Sequence, residues 1–441
     1  MSGLIPEPSQ YGLLTDLYQL TMSACYVGEG LAQKPASFEL FTRRLPPEFG
    51  YLVAMGLEQA LDYLENFCFT AEQIKALQNT GIFTHAPDTF WQLLAEGRFT
   101  GDLWAVPEGT VVFANEPILR VEAPLWQAQI VETYLLNTIN YQTLIATRAA
   151  RLRDTAGPEA VLLEFGTRRA FSPQAALWAA RAAIAAGLDG TSNVQAALQL
   201  GQKPVGTMAH ALVMAISALE GEEDEAFTAF SRYFPQAPLL IDTYDTVAAA
   251  GRLSQAVEQG QRQVTGVRLD SGDLVTLSQQ VQALLPEVPI FASGDLDEWE
   301  IARLQTAGAC LQGYGIGTRL VTGQPVNGVY KLVEIDGVPT MKQSSNKATY
   351  PGRKQIFRAP DGDRLALMTE SLPAGTYPLL QPLMRQGQRC LPSTDLKQIR
   401  QRTTEQVQAL PPETRAITNP VPWNVSISEP LQDLRQSLLT A

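Results

Sequence analysis

The chain has few of the residues from which metal sites and disulfide frames are built. Its 441 residues include two histidines and four cysteines, and Cys25, Cys68, Cys310 and Cys390 never form a CxxC pair. That excludes a zinc ribbon and a disulfide-stapled fold, and it suits small buried thiols in a reducing compartment. Positive charge is also scarce: 33 Lys+Arg against 45 Asp+Glu give a formal net charge of −12. Nucleic acid and anionic membranes select basic faces, so neither is an expected partner. A few local arginines can still dominate a pocket, which leaves a small anionic ligand open. No apolar run reaches the ~18 residues of a membrane span. The opening MSGLIPEPSQYG shows no signal-peptide pattern. A soluble, cytoplasmic protein is the expectation.

What is present is a well-buried globular chain, 45% hydrophobic and 18% charged. Its length exceeds one compact core, so two domains, or one barrel with additions, are expected. The middle alternates apolar runs with helix signals. The runs are 161–165, 238–242, 264–270, 289–293 and 310–317. Ser172, Pro173 and Gly187 mark the cap, first turn and stop of one intervening helix. Such alternation implies parallel strands in a barrel or a doubly wound sheet. Residues 203–207 read as a short strand edge leading into a buried helix. Before this region, 12–26 reads as a helix and 37–41 as a strand, and Thr70 with Gln73 forms a capping box closed by Gly81. After Gly328 strands return, with Asp336-Gly337 as a hairpin turn. From about 373 the chain is rich in Pro and Gln and gives no clear period. The acidic stretch GEEDEAF (221–227) reads as a solvated helix face, and His85 as structural.

The informative pattern lies at the carboxyl end of each middle run. These segments are EFGTRR (164–169), GTMAH (206–210), DTYD (242–245), RLDSGD (268–273), ASGD (292–295) and GIGTR (315–319). All are polar, charged or glycine-rich. In a β/α barrel the carboxyl ends of the strands open on one face, where the active site is built. Arg168, His210, Asp242, Arg268, Asp270, Asp295 and Thr318 would therefore converge. Arg168 and Arg268 offer planar forks suited to carboxylate or phosphate. SerGlyAsp (293–295) and GlyIleGlyThr (315–318) bring backbone amides towards helix starts, as phosphate loops do. Nearby aspartates could bind sugar hydroxyls or magnesium. The site suits a phosphorylated sugar with an arginine-held carboxylate beside it.

With TDLYQLTM (15–22), FELFTRRLP (38–46), GVRLDSGDL (266–274) and NGVYKL (327–332), these motifs resemble the nicotinate phosphoribosyltransferase family, from about residue 11 to 358. The resemblance implies an irregular β/α, TIM-like barrel. An N-terminal α/β domain would be completed by strands after the barrel, with divisions at 1–125, 126–330 and 331–441. It implies that nicotinate and phosphoribosyl pyrophosphate become nicotinate mononucleotide and pyrophosphate, a step of NAD synthesis coupled to hydrolysis of ATP with Mg2+. His210 would be the phosphohistidine, with Asp242 paired to it and Asp270 also catalytic. Tyr18 would stack on nicotinate, with Thr207, Arg168 and Arg268 in the same pocket. Gly294, Asp295, Gly317 and Thr318 would hold the phosphoribosyl group. No metal ligand is assigned. The family also implies a homodimer in which the Tyr18 segment reaches the partner's site.

A neutral imidazole at a strand-to-helix turn meets the needs of a phosphoryl acceptor, and Asp242 could fix its tautomer. Nicotinamide as substrate stays open, because one side chain facing the amide could decide it. Quinolinate would want more basic residues than can be placed. A non-catalytic phosphosugar-binding barrel is the reading from a different class.

Overall fold

A computed structural model describes residues 7–343 and 349–440. The chain divides into two compact units, Met1–Leu144 with Pro325–Ala441, and Ile145–Gln324.

The first unit is built on a seven-stranded sheet. Its strand order is 338–339, 329–335, 35–41, 117–124, 102–105, 381–385 and 388–389, every pairing antiparallel. Pro35–Phe41 lies near its middle and is buried on both faces after the first residue. The late strand Val329–Ile335 pairs along it, Leu40 opposite Tyr330, so chain from beyond the second unit completes a sheet begun near the N-terminus. Phe38 stacks on Tyr330 with ring centroids 5.0 Å apart. The Asp336-Gly337 turn has φ of +50° and +77°, as a two-residue hairpin requires. The Thr70 box is formed, Thr70 accepting from the Gln73 amide at 3.3 Å. The region after 373, unreadable in sequence, supplies strand Gln381–Arg385, next to the edge strand Gln388–Arg389, and helix Leu396–Ala409.

The second unit holds one parallel sheet. Its order is Gly190–Thr191, Val161–Glu164, Gly313–Ile316, Ile290–Ser293, Val267–Leu269 and Leu239–Leu240. Helices Pro173–Ala185, His210–Glu220, Glu223–Tyr233, Thr246–Glu258, Leu274–Leu284 and Glu298–Thr306 connect the strands. The first strand lies beside the last, as in a barrel. The expected TIM-like closure is not formed, because no ladder joins Gly190–Thr191 to Leu239–Leu240 among the described residues. Segment 203–209 lies between those strands in sequence but is no strand. Pro204 has no amide proton to give. Val205 N donates to Thr191 O at 2.9 Å, and beyond it the Thr207 hydroxyl, in place of a backbone amide, reaches the Pro238 carbonyl. A second correction concerns the acidic stretch. Glu223 is 7% exposed and paired with Arg252 at 2.7 Å, so that helix face is not wholly solvated.

Candidate active site

The strand ends sort their carboxylates by helix capping. Asp245 accepts from Ala248 N at 2.9 Å, Asp273 from Val275 N at 3.2 Å, and Asp297 from Glu300 N at 2.9 Å. Each satisfies an amide that its helix leaves open, which is a structural role. Asp242 and Asp270 are not used this way. Glu164 ends the first strand fully buried and accepts from Gly166 N and the Thr191 hydroxyl. Burial pushes its carboxyl up, against those two hydrogen bonds. It thereby fixes the turn that presents Thr167 and Arg168.

His210 opens helix His210–Glu220, so its ring leaves from the mouth of the sheet, 37% exposed. Nδ1 lies 3.1 Å from the Thr243 hydroxyl. Nε2 lies 4.0 Å from Asp242 Oδ1 and 4.0 Å from Asp270 Oδ2, within ion-pair reach and beyond hydrogen-bond length. The group that hydrogen-bonds the imidazole is thus a threonine, with the carboxylates as flanking charges. Asp242 is held in turn: its Oδ2 accepts from Asp270 N and Ser271 Oγ, both at 2.8 Å. Its buried Oδ1 has no hydrogen-bond partner. Asp270 Oδ1 accepts from Ser293 Oγ.

Two cavities share this region. One of about 390 Å³ is bordered by Thr167, Arg168, Ser192, His210, Asp270 and Ser293. The other, about 590 Å³ and largely apolar, is bordered by Val161, Leu163, Tyr233, Phe234 and Phe291 among others. Phe165, Gly206, Thr207 and Arg268 border both. Burial pushes the Arg268 guanidinium below its usual value, opposed by Asp270 and Asp242, with Arg168 adding to the lowering. Its Nε is buried without a hydrogen-bond partner. Asp242 and Asp270 are the opposite charges beside this guanidinium.

The structure therefore brings Arg168, Thr207, His210, Asp242, Arg268 and Asp270 together. Gly294, Asp295, Gly317 and Thr318 border neither cavity. Gly294 and Asp295 directly follow the lining residue Ser293, at φ of +92° and +49°. A Cβ on Gly294 would collide with the Asp270 carbonyl oxygen. Gly317 precedes the four-residue helix Thr318–Val321. Tyr18 belongs to the other unit, on helix Leu17–Gly28, and is 48% exposed. Thr243 and Ser293 were missed from sequence. Both sit inside quoted motifs, DTYD and ASGD, and the signal was a hydroxyl next to a charged or glycine residue. Among the described residues no cluster of three or more His, Cys, Asp or Glu could hold a metal. No described helix is long and apolar enough to cross a membrane.

Comparison with known proteins bears on this geometry. The chain matches the nicotinate phosphoribosyltransferase N-terminal domain over residues 13–140, the family itself over 161–292, and the C-terminal domain over 353–435. It is 42% identical to a nicotinate phosphoribosyltransferase of Mycobacterium tuberculosis, covering 92% of this chain and 89% of that one. It is 41% identical to the Bacillus subtilis protein of that name, covering 95% and 93%. Its fold is similar to the crystal structure of human nicotinic acid phosphoribosyltransferase, with TM-score 0.85 and 31% identity over 96% of this chain and 99% of that one. It is also similar to a nicotinate-nucleotide pyrophosphorylase from Pyrococcus furiosus, with TM-score 0.76 and 25% identity over 93% and 98%.

Proposed function

We infer that this chain, which belongs to the nicotinate phosphoribosyltransferase family, joins nicotinate to phosphoribosyl pyrophosphate and couples that transfer to ATP. The ring nitrogen of nicotinate attacks C1 of the ribose. The C1–O bond to pyrophosphate breaks, and nicotinate mononucleotide and pyrophosphate leave. The observation that carries this reading is Arg268: a half-buried guanidinium bordering both cavities, beside Asp270 and Asp242. A carboxylate in that space takes charge-assisted bonds from the guanidinium, and the neutral carboxamide of nicotinamide takes weaker ones. Thr207 and Arg168 border the same space, and Tyr18 is assigned to stacking on the pyridine ring.

His210 is assigned as the phosphoryl acceptor. A ring nitrogen attacks the γ-phosphorus of ATP, ADP leaves, and water later cleaves the phosphohistidine to phosphate. Asp242 and Asp270 beside Nε2 balance the positive charge that develops on the ring. Thr243 holds the ring in place from the other nitrogen. Gly294, Asp295, Gly317 and Thr318 are assigned to the phosphoribosyl group, whose close approach the bare glycines permit. The donor set also fits a magnesium ion arriving with the phosphates. The partnerless oxygen of Asp242 and the carboxylate of Asp270 would hold it, and such ions take one or two carboxylates besides substrate oxygens. Its contribution would be to neutralise phosphate charge.

The cyclic strand order supports reading the parallel sheet as an irregular TIM-like barrel opened beside segment 203–209. The catalytic domain falls within 126–330, between 1–125 and 331–441, with Ile145–Gln324 as its compact part. The exposure of Tyr18 supports a homodimer in which that ring serves the other subunit's site. The four thiols are free, exposed at Cys25 and Cys390 and half-buried at Cys68 and Cys310 where buried ones were expected, and free thiols support a cytoplasmic location. The test is a side-by-side assay with nicotinate, nicotinamide and quinolinate, each with and without ATP. Nicotinate alone should be converted efficiently, and faster with ATP. Equal turnover of nicotinamide or quinolinate would overturn the substrate assignment.

A further inference from the structure

Helix Glu132–Ala156 carries Arg148 and Arg151, one turn apart, and neither belongs to the site described above. Residues three apart on a helix share a face, so both guanidinium groups leave on the same side. Arg148 Nη1 donates to the carbonyl oxygens of Arg319 at 2.6 Å, of Leu320 at 3.5 Å, and of Thr322. Two of these residues lie in the four-residue helix Thr318–Val321, and Thr322 ends it. One helical turn does not hold its shape by its own hydrogen bonds, because nucleation costs more than it returns. Burial pushes the Arg148 guanidinium down, opposed by Glu298. Gly323 completes the lock: its φ is +116°, and a Cβ there would collide with the Arg148 guanidinium.

Arg151 holds the neighbouring loop. Its Nε donates to Glu298 Oε1 at 2.8 Å, with the side chains 0% and 4% exposed. Glu298 begins helix Glu298–Thr306, three residues after Asp295. Asp297, the cap of that helix, stands 4.0 Å from Arg319 of the other loop. The segments following Ser293 and Ile316 are therefore tied to one helix and to each other.

We propose that Arg148 and Arg151 are positioning residues that fix the spacing between the Gly294–Asp295 and Gly317–Thr318 loops, and through it the affinity for phosphoribosyl pyrophosphate. This rests on the assignment of those loops to that substrate. Neither arginine borders either cavity. Two loops gripping one ligand must keep their separation, since a misplacement of about 1 Å costs on the order of 10²-fold. A lysine at 148 keeps the charge, but its side chain is shorter, so the ammonium falls short of the carbonyls that Nη1 meets.

The test measures KM for both substrates, kcat and melting temperature in Arg148→Lys, Arg148→Met, Gly323→Ala and Arg151→Met, with Thr318→Val as the direct probe of the loop. Should Arg151→Met fail to fold because it strands the buried Glu298 carboxylate, the double change Arg151→Met with Glu298→Leu replaces it. Arg148→Met, Gly323→Ala and Arg151→Met should each raise KM for phosphoribosyl pyrophosphate about tenfold, with KM for nicotinate and kcat within about twofold. Arg148→Lys should fall between wild type and Arg148→Met. If Thr318→Val raises that KM while the arginine variants do not, the clamp is overturned and the loop assignment stands. If none of the variants raises it, the loop assignment fails as well. Parallel rises in both KM values, tracking lost melting temperature, would mean a merely structural role and would also overturn the proposal.

Discussion

Replacing Arg268 by Lys separates binding from stability. The wild-type guanidinium leaves Nε buried and unpartnered, and burial has already pushed its pKa below the ordinary value. The guanidinium borders both cavities, and a nicotinate carboxylate arriving there takes a charge-assisted bond of about 1.5–3 kcal/mol. Lys at this position has no Nε and no fork, so that bond is lost while a positive charge remains. At about 1.4 kcal/mol per factor of ten, KM for nicotinate should rise roughly 10- to 100-fold. The melting temperature should stay within a few degrees of wild type, because the positive charge beside Asp270 and Asp242 is kept. Steady-state kinetics at saturating phosphoribosyl pyrophosphate, alongside calorimetric melting, read both quantities. Unchanged KM for nicotinate would remove Arg268 from the pocket. A large loss of stability in step with KM would make its role structural.

Gly317→Val should weaken binding of phosphoribosyl pyrophosphate by calorimetry, because its isopropyl group would stand where the phosphate approaches the backbone, while its Cβ meets the Phe165 carbonyl oxygen at a tolerable 3.3 Å. Normal binding would place the phosphate elsewhere. Mixing Tyr18→Ala chains with His210→Ala chains should restore up to about a quarter of wild-type activity in the re-equilibrated mixture and about half in purified hybrids, since half of the dimers are hybrid and each hybrid holds one intact site of two. No recovery would assign both residues to the same subunit's site. In the first unit, Glu116 is fully buried and its carboxyl is held well above the usual range by burial and by Asp363, against Arg358. The folded chain thus keeps a proton that the unfolded chain releases above about pH 4.5, so this group favours folding at acid pH and loses that contribution as pH rises. Glu116→Gln does not titrate, and its melting temperature relative to wild type should climb by a few degrees between about pH 5 and 8. A constant difference across that window would contradict the raised pKa.

The sequence carried the alternation of strands and helices, since apolar runs bounded by Ser172-Pro173 and Gly187 have a local cause. It also carried the Asp336-Gly337 hairpin and the Thr70 box, for the same reason. Local signals could not separate Asp242 from Asp245, or Asp270 from Asp273, because both members of each pair come after a strand. Only the distances to Ala248 N and Val275 N show which ones cap helices. The break in the ladder at 203–209 depends on Pro204 and on where Thr191 and Pro238 lie in space, which no local pattern encodes. The strand Gln381–Arg385 was invisible for a related cause: it is defined by pairing with Asp102–Ala105, some 280 residues earlier. The partners of His210 were only partly legible, since a carboxylate is an obvious partner for a histidine and the hydroxyl of Thr243 is not. The roles of individual residues came from the family resemblance and from no spacing rule.

The phosphoryl group assigned to His210 is what links ATP to nucleotide formation in this mechanism. The most direct measurement is peptide mass spectrometry under non-acidic conditions after brief exposure to ATP. With two histidines in the chain, the assignment is a choice between the peptides holding His210 and His85. The account predicts an acid-labile phosphate on the His210 peptide, lost in His210→Ala together with ATP hydrolysis and the ATP stimulation of synthesis. That variant should retain a slow, ATP-independent transferase rate, because substrate positioning survives. Phosphate on the His85 peptide, or ATP coupling intact in His210→Ala, would contradict it.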